Sequence, residues 1–302
     1  MASRRQRTTI AAVARQTSAS TSWESAGRWY DGIVGKRVNP QEGHHFHQQL
    51  VIPGVLRLLR LDSSPKVASS LLDLGCGQGV LGRQVPKGVE YVGVDASKFL
   101  VRKAQAYDTA PQHRYAVADV TRPYDVAPKS TGGGFSHAAF VLSLQNMRDQ
   151  AAALRIAGER LGDQGRLVVV LNHPCFRVPR QSRWEVDPQN NAQYRRVDRY
   201  HSPLEVPIMV HPGVKKGGGA TEPSSSAAAK SEGASPTTYS YHYPLDHYFR
   251  WLSDAGMAVE LIEEWYSDKT SEGSQAKREN RARTEFPLFL AISSFKLQQA
   301  TQ

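Results

Sequence analysis

Between residues 71 and 171, short apolar runs alternate with helix-like stretches: LLDL at 71–74, VEYVGV at 89–94, YAVADV at 115–120, HAAFVLSL at 137–144 and RLVVVL at 166–171. A strand buried on both faces reads as a continuous apolar run, and strands separated by helices must cross over to pair. This order therefore predicts a mostly parallel sheet with helices on both faces. Before it, QQLVIPGVLRLLRL at 48–61 carries apolar residues at helical spacing around Pro53, which predicts a helix packed on the sheet. After it, 244–255 predicts a helix ended by Gly256, and 257–265 and 287–295 predict two further strands. The expected architecture is a seven-stranded α/β sheet of Rossmann-like type.

The remaining segments give weaker signals. Residues 172–213 are polar and aromatic without a sustained period of 2 or 3.6, the pattern of a long functional loop. Residues 215–237, KKGGGATEPSSSAAAKSEGASPT, are of low complexity and read as a flexible insert. SDKTSEGSQAKRENRARTE at 267–285 reads as a polar connection. Residues 1–22 hold Arg4, Arg5, Arg7 and Arg15 with no acid, as a basic tail or a transit peptide would, and residues 23–302 are expected to form one domain.

Composition narrows the function classes. With 302 residues, 40% of them hydrophobic, the chain can bury one large core. No apolar run reaches the roughly 18 residues of a membrane span, and the start lacks the apolar stretch of a secretory signal. A cytoplasmic location is expected, or a mitochondrial one if the tail is a transit peptide. Cys76 and Cys175 belong to no disulfide framework or zinc pair, and His44, His45 and His47 have no acid or cysteine at ligand spacing, so no metal is expected. The net charge of +10 favours anionic partners.

The first predicted strand runs into a glycine-rich turn, LLDLGCGQG at 71–79, and a helix is expected after it. Such a turn brings backbone N–H groups close to a ligand because no Cβ intervenes. A dinucleotide fingerprint would place its third glycine at position 80, where this chain has Val80. An acid, one intervening residue and Gly-x-Gly-x-Gly at a strand end instead resembles the first motif of the class I S-adenosylmethionine-dependent methyltransferases. The resemblance covers about 71–171, with a weaker echo at the C-terminus, and implies S-adenosylmethionine as cofactor.

Residue by residue, that resemblance implies that Gly75, Cys76 and Gly77, with Gly79 closing the turn, line the methionine portion of the cofactor, and that Asp73 lies near its ammonium group. Asp95, at the tip of the second predicted strand, matches the family's ribose acid, and a carboxylate suits two hydroxyl donors because it only accepts. Ala96 would lie beside the adenine, Asp119 would accept from its exocyclic amine, and Val120 would offer a backbone N–H. Leu142 would contribute backbone under the sulfonium end. Trp29-Tyr30-Asp31 resembles the Tyr-Asp pair that opens many family members, whose tyrosine helps to cover the cofactor, although core packing is the better explanation of two residues.

The acceptor is less legible. Residues after the fifth strand should face the transferred methyl, which places Asn172, His173 and Phe176 in the acceptor pocket, and Gln145 and Asn146 either point into that space or cap the next helix. His173 is the candidate general base, since an imidazole takes a proton near neutral pH. Cys175 reads as a small buried residue or a nucleophile. From Arg177 to Arg199, six arginines and three acids are interleaved with Trp184, Tyr194 and Tyr200. Arg183, Tyr194 and Arg195 are the candidates there for holding an acceptor, because arginine forks and aromatic faces suit acidic or aromatic metabolites as well as stacked bases. A small-molecule acceptor is the leading expectation and RNA, tRNA or rRNA, the alternative.

Overall fold

The computed structural model describes residues 22–34, 45–61, 69–129, 133–209 and 237–298. The tail at 1–21 and residues 210–236, which hold nearly all of the predicted insert, lie outside the described residues.

Helix α1 (Ser22–Val34) is followed by a π-helical turn (His47–Val51) that runs into α2 (Ile52–Leu58), with Pro53 in its first turn, where the missing N–H costs nothing. The sheet then builds from β1 (Ser69–Leu74), β2 (Val89–Asp95), β3 (His113–Val117), β4 (Phe135–Val141) and β5 (Leu161–Asn172), with α3 (Lys98–Tyr107) and α4 (Gln150–Arg160) as crossovers. Hairpin β6 (Ser182–Asp187) and β7 (Ala192–Val197), then the pair β8 (Leu204–Met209) and β9 (Thr237–His242), stand outside it. The chain returns through α5 (Leu245–Asp254), β10 (Met257–Trp265), α6 (Ala276–Glu285) and β11 (Phe289–Lys296).

The main sheet has the order β10-β11-β5-β4-β1-β2-β3, parallel throughout except for β11, which runs antiparallel to both neighbours. This is the seven-stranded Rossmann-like sheet expected from the apolar runs. Alternation along the strands sends Leu72, Leu74, Phe140 and Val169 to one face, where α4 and α5 cover them through Leu154, Tyr248 and Leu252. Leu71, Tyr91, Val168 and Val170 point to the other, against Val55, Leu58 and Leu59. Each such side chain contributes about 1.5–3 kcal/mol on burial.

Two segments are more ordered than the sequence predicts. In 172–213 the hairpin turns at Asn190 and Asn191, the latter at φ +47°, while Asp187 Oδ1 accepts the backbone N–H of Gln189 at 2.9 Å. Its strands are short and half-exposed, so no apolar run announces them. Helix α6 buries only Ala282, and its residues are strong helix formers with a Glu279–Arg283 pair at 3.7 Å, so propensity supports it where hydrophobic period gives no signal. Among the described residues no helix is long and apolar enough to cross a membrane.

Candidate functional site

The connection from β1 to β2 turns sharply at the carboxyl edge of the sheet and holds a three-residue 3-10 turn (Gly82–Gln84) where a helix was expected. Gly75 and Cys76 both donate their backbone N–H to Val94 O, at 2.8 and 3.1 Å, which ties the turn to β2. Gly77 sits at φ +54°, and a Cβ there would meet nothing nearer than Tyr30 Cε1 at 3.6 Å. Its N–H donates instead to Asp95 Oδ2 at 2.9 Å, and the other carboxylate oxygen accepts the Ser97 N–H at 2.8 Å. Burial raises the Asp95 pKa while these two N–H groups oppose the rise.

Asp73 lies beneath the turn and is 2% exposed. Tyr91 donates its hydroxyl to Oδ2 at 2.6 Å, whereas Oδ1 is buried with no hydrogen-bond partner among the described residues. Burial pushes this carboxyl up to about 7, the Tyr91 hydrogen bond pulling the other way and the Asp95 charge adding to the rise. Cys76 is buried too, and its thiol is held well above its ordinary pKa, first by burial.

Above the sheet edge opens a cavity of about 630 Å³ lined by Gly75, Gly77, Asp95, Ala96, Asp119, Val120, Leu142 and Asn146. β3 ends two residues before Asp119, whose Oδ1 takes the N–H and hydroxyl of Thr121 at 3.0 and 2.7 Å. Leu142 holds φ +54°, a strained setting for a leucine, immediately after β4. Its carbonyl accepts the amides of Gln145 and Asn146 at 3.1 and 3.3 Å. The cap of α4 is Asp149, which accepts from Ala152 N at 2.9 Å, so Gln145 and Asn146 are free of that task.

Helix α1 forms one wall through Ser22, Trp23 and Tyr30, and Tyr241 of β9 closes in alongside Arg148. Two acids fasten α1 to α3. Glu24 Oε2 accepts the Ser97 hydroxyl at 2.8 Å and the Phe99 N–H at 3.1 Å, and Asp31 takes the Tyr107 hydroxyl at 3.1 Å and the Lys103 ammonium at 3.3 Å.

A turn, the acids Asp95 and Asp119 and a covering helix thus converge on one cavity, and the methyltransferase-domain family matches residues 44–204 of the same chain. This chain belongs to that family. No curated protein matches it. Among solved structures the methyltransferase is similar to an S-adenosylmethionine-dependent methyltransferase of Mesorhizobium loti, with 22% identity, TM-score 0.56, and 81% of this chain and 96% of that one covered. It is also similar to the CcbJ methyltransferase of Streptomyces caelestis, with 16% identity, TM-score 0.55 and coverage of 92% and 99%. These likenesses are of fold, and the methyltransferase has the class I, Rossmann-like architecture.

Several predicted site residues of the methyltransferase lie elsewhere. Gly79 does not line the cavity: a Cβ on it would stand 2.6 Å from the Tyr115 hydroxyl, so its lack of a side chain makes room for that ring. Cys76 and Asp73 lie under the lining rather than in it. His173 is 1% exposed and does not reach the acceptor space expected for it. Its Nδ1 accepts the Cys175 N–H at 3.2 Å, which leaves the proton on Nε2, 2.8 Å from Glu264 Oε1. Burial keeps the imidazole below its ordinary pKa against the pull of Glu264, and both of its nitrogens are engaged within the chain. Asn172 ends β5 opposite Phe289, and Phe176 packs on His173 and Phe286. Arg183 and Tyr194 meet Glu185 on the exposed face of the hairpin, and Arg195 lies on the other face. None of these five lines the cavity. Trp23, Arg148 and Tyr241 do, and only the fold brings them there, because Tyr241 arrives from beyond the insert.

Proposed function

We propose that the methyltransferase transfers the methyl group of S-adenosylmethionine to a small-molecule acceptor held in the same cavity, as one domain spanning residues 23–302. The observation that carries this reading is the cavity itself: about 630 Å³, at the carboxyl ends of the parallel strands and walled by α1 and Tyr241. Small-molecule sites are concave and of roughly 300–1,000 Å³. The ion pairing of Arg183 and Arg196 with Glu185 and Asp198 also counts for a small acceptor, because those arginines are already neutralised rather than offered to a phosphate backbone.

The cofactor is S-adenosylmethionine, and two features of the chain fit it. Gly77 has no side chain in front of its backbone, where a Cβ would meet only Tyr30 at 3.6 Å, and Asp73 keeps one buried oxygen without a donor among the described residues below the same turn. In this reading Gly75 and Gly77 take the methionine portion, Asp73 serves its ammonium group, Asp95 the ribose, and Ala96, Asp119 and Val120 the adenine. Leu142 bounds the sulfonium end, and Asn146, Arg148 and Tyr241 stand toward the acceptor.

When bound, the cofactor supplies an electrophilic methyl on a positive sulfur. The chain's own work is to align the acceptor and to exclude water, and the α1 wall serves the second need. Incubating the purified protein with methyl-labelled cofactor and separated RNA, protein and metabolite fractions tests the reading. Label in the metabolite fraction is the expected result, and label in RNA that falls steeply with added salt would overturn the acceptor class.

A further inference from the structure

The two faces of the β6–β7 hairpin are built differently. Arg183 and Arg196 are directly paired in register, as are Glu185 and Tyr194, so these four share the outer face, where Glu185 accepts from Arg183 at 2.8 Å, Tyr194 at 3.0 Å and Arg196 at 3.2 Å. Trp184 pairs with Arg195 on the inner face. The Arg195 guanidinium lies 5.2 Å from the Trp184 ring centroid, donates through Nε to Phe176 O at 2.8 Å and through Nη2 to Ser182 Oγ at 2.8 Å. Trp184 and Phe176 are each packed edge-on against Phe286, at 5.4 and 5.6 Å between ring centroids, so the platform is fixed.

The inner face has no acid. Every partner of Arg195 among the described residues is neutral. The carbonyl that orients it belongs to Phe176, the residue before Arg177, and Arg177 is half-buried with no side-chain hydrogen bond or ion pair among the described residues. The Arg177 charge is felt at Arg195, whose pKa is lowered to about 10, first by burial and then by that charge. Burial lowers Arg177 too. Like charges drawn partly out of water are costly unless a counter-charge joins them. The outer face supplies its own carboxylates, whereas the inner one holds a rigid, pre-oriented fork and leaves the anion to come from outside.

We infer that Arg177 and Arg195 form an oxyanion subsite beneath the hairpin that takes a phosphate or carboxylate group of a ligand. This inference does not depend on the acceptor reading, and its test reads anion binding alone.

The probes are inorganic phosphate and acetate, titrated calorimetrically and in thermal melts against sodium chloride of equal ionic strength. Wild type should bind at least one probe beyond the chloride control, and the tighter one tells phosphate from carboxylate. Arg177→Gln should weaken that binding about tenfold or more, as loss of a charge-assisted contact does. Arg195→Lys, which keeps the charge and loses the fork, should weaken it by a smaller factor. In chloride alone, Arg177→Gln should melt at or above wild type, because it removes an uncompensated charge. Arg183→Gln, on the neutralised outer face, should bind the probe as wild type does. Absence of probe binding beyond chloride, equal affinity in Arg177→Gln, or an equal loss in Arg183→Gln would each overturn the inference.

Discussion

A methyl group at Gly77 would have room, since the nearest atom is 3.6 Å away, and the strain of a left-handed residue costs an alanine only about 1–2 kcal/mol. Gly77→Ala should therefore fold with a slightly lower Tm yet bind S-adenosylmethionine at least tenfold more weakly by calorimetry, because the new methyl intrudes on the ligand side. Asp95→Ala should act in the same direction and also release the N–H groups of Gly77 and Ser97. Asp73 predicts a pH effect. Its folded pKa, about 7, lies above the unfolded value, so the native state holds the proton longer and stability falls as pH rises from about 4 toward 7, then levels off. Asp73→Asn should flatten that decline in chemical denaturation of the ligand-free protein, and an unchanged slope would contradict the assignment. Asp73, Asp95 and the first glycines of the turn were legible in the sequence because they lie at the ends of the apolar runs of β1 and β2. Gly79 and His173 were misplaced for a common reason. Their surroundings, Tyr115 against the one and Glu264 beside the other, come from distant positions, and no local pattern records them.

Helix α1 owes its place to two carboxylates more than to apolar burial, since Ala26 is its only fully buried hydrophobic side chain among the described residues. Removing the Glu24 clasp in Glu24→Ala should raise amide exchange across 22–34 and weaken cofactor binding severalfold, with strand protection unchanged, by hydrogen-exchange mass spectrometry. Exchange in α1 identical to wild type would show that the clasp does not hold the wall. The central strands β1, β4 and β5 could be read from sequence because burial on both faces makes their composition continuous. The hairpin and α6 could not, because short half-exposed strands alternate too briefly and a helix with one buried residue has no stripe to detect.

Met209 and Thr237 face each other across the β8–β9 ladder, so the two ends of the 210–236 connection are adjacent. Replacing that segment with a four-residue turn should stabilise the protein by roughly 1.5 kcal/mol, because closure entropy grows only as the logarithm of length. A rise of a few degrees in Tm is the expected readout, and a fall would mean that the segment contributes contacts of its own. The same ladder sets the order in which the site comes into being. The hydroxyls of Ser22 and Thr238 meet at 3.2 Å although 216 positions separate them, and Tyr241 follows directly after. A polypeptide emerging from the ribosome thus produces α1, the glycine turn and its acids early, while the Tyr241 side of the cavity is translated only after the low-complexity segment has passed. Nascent chains arrested before that point would leave those groups open to water, so capture of the cofactor would report that translation has run past β9.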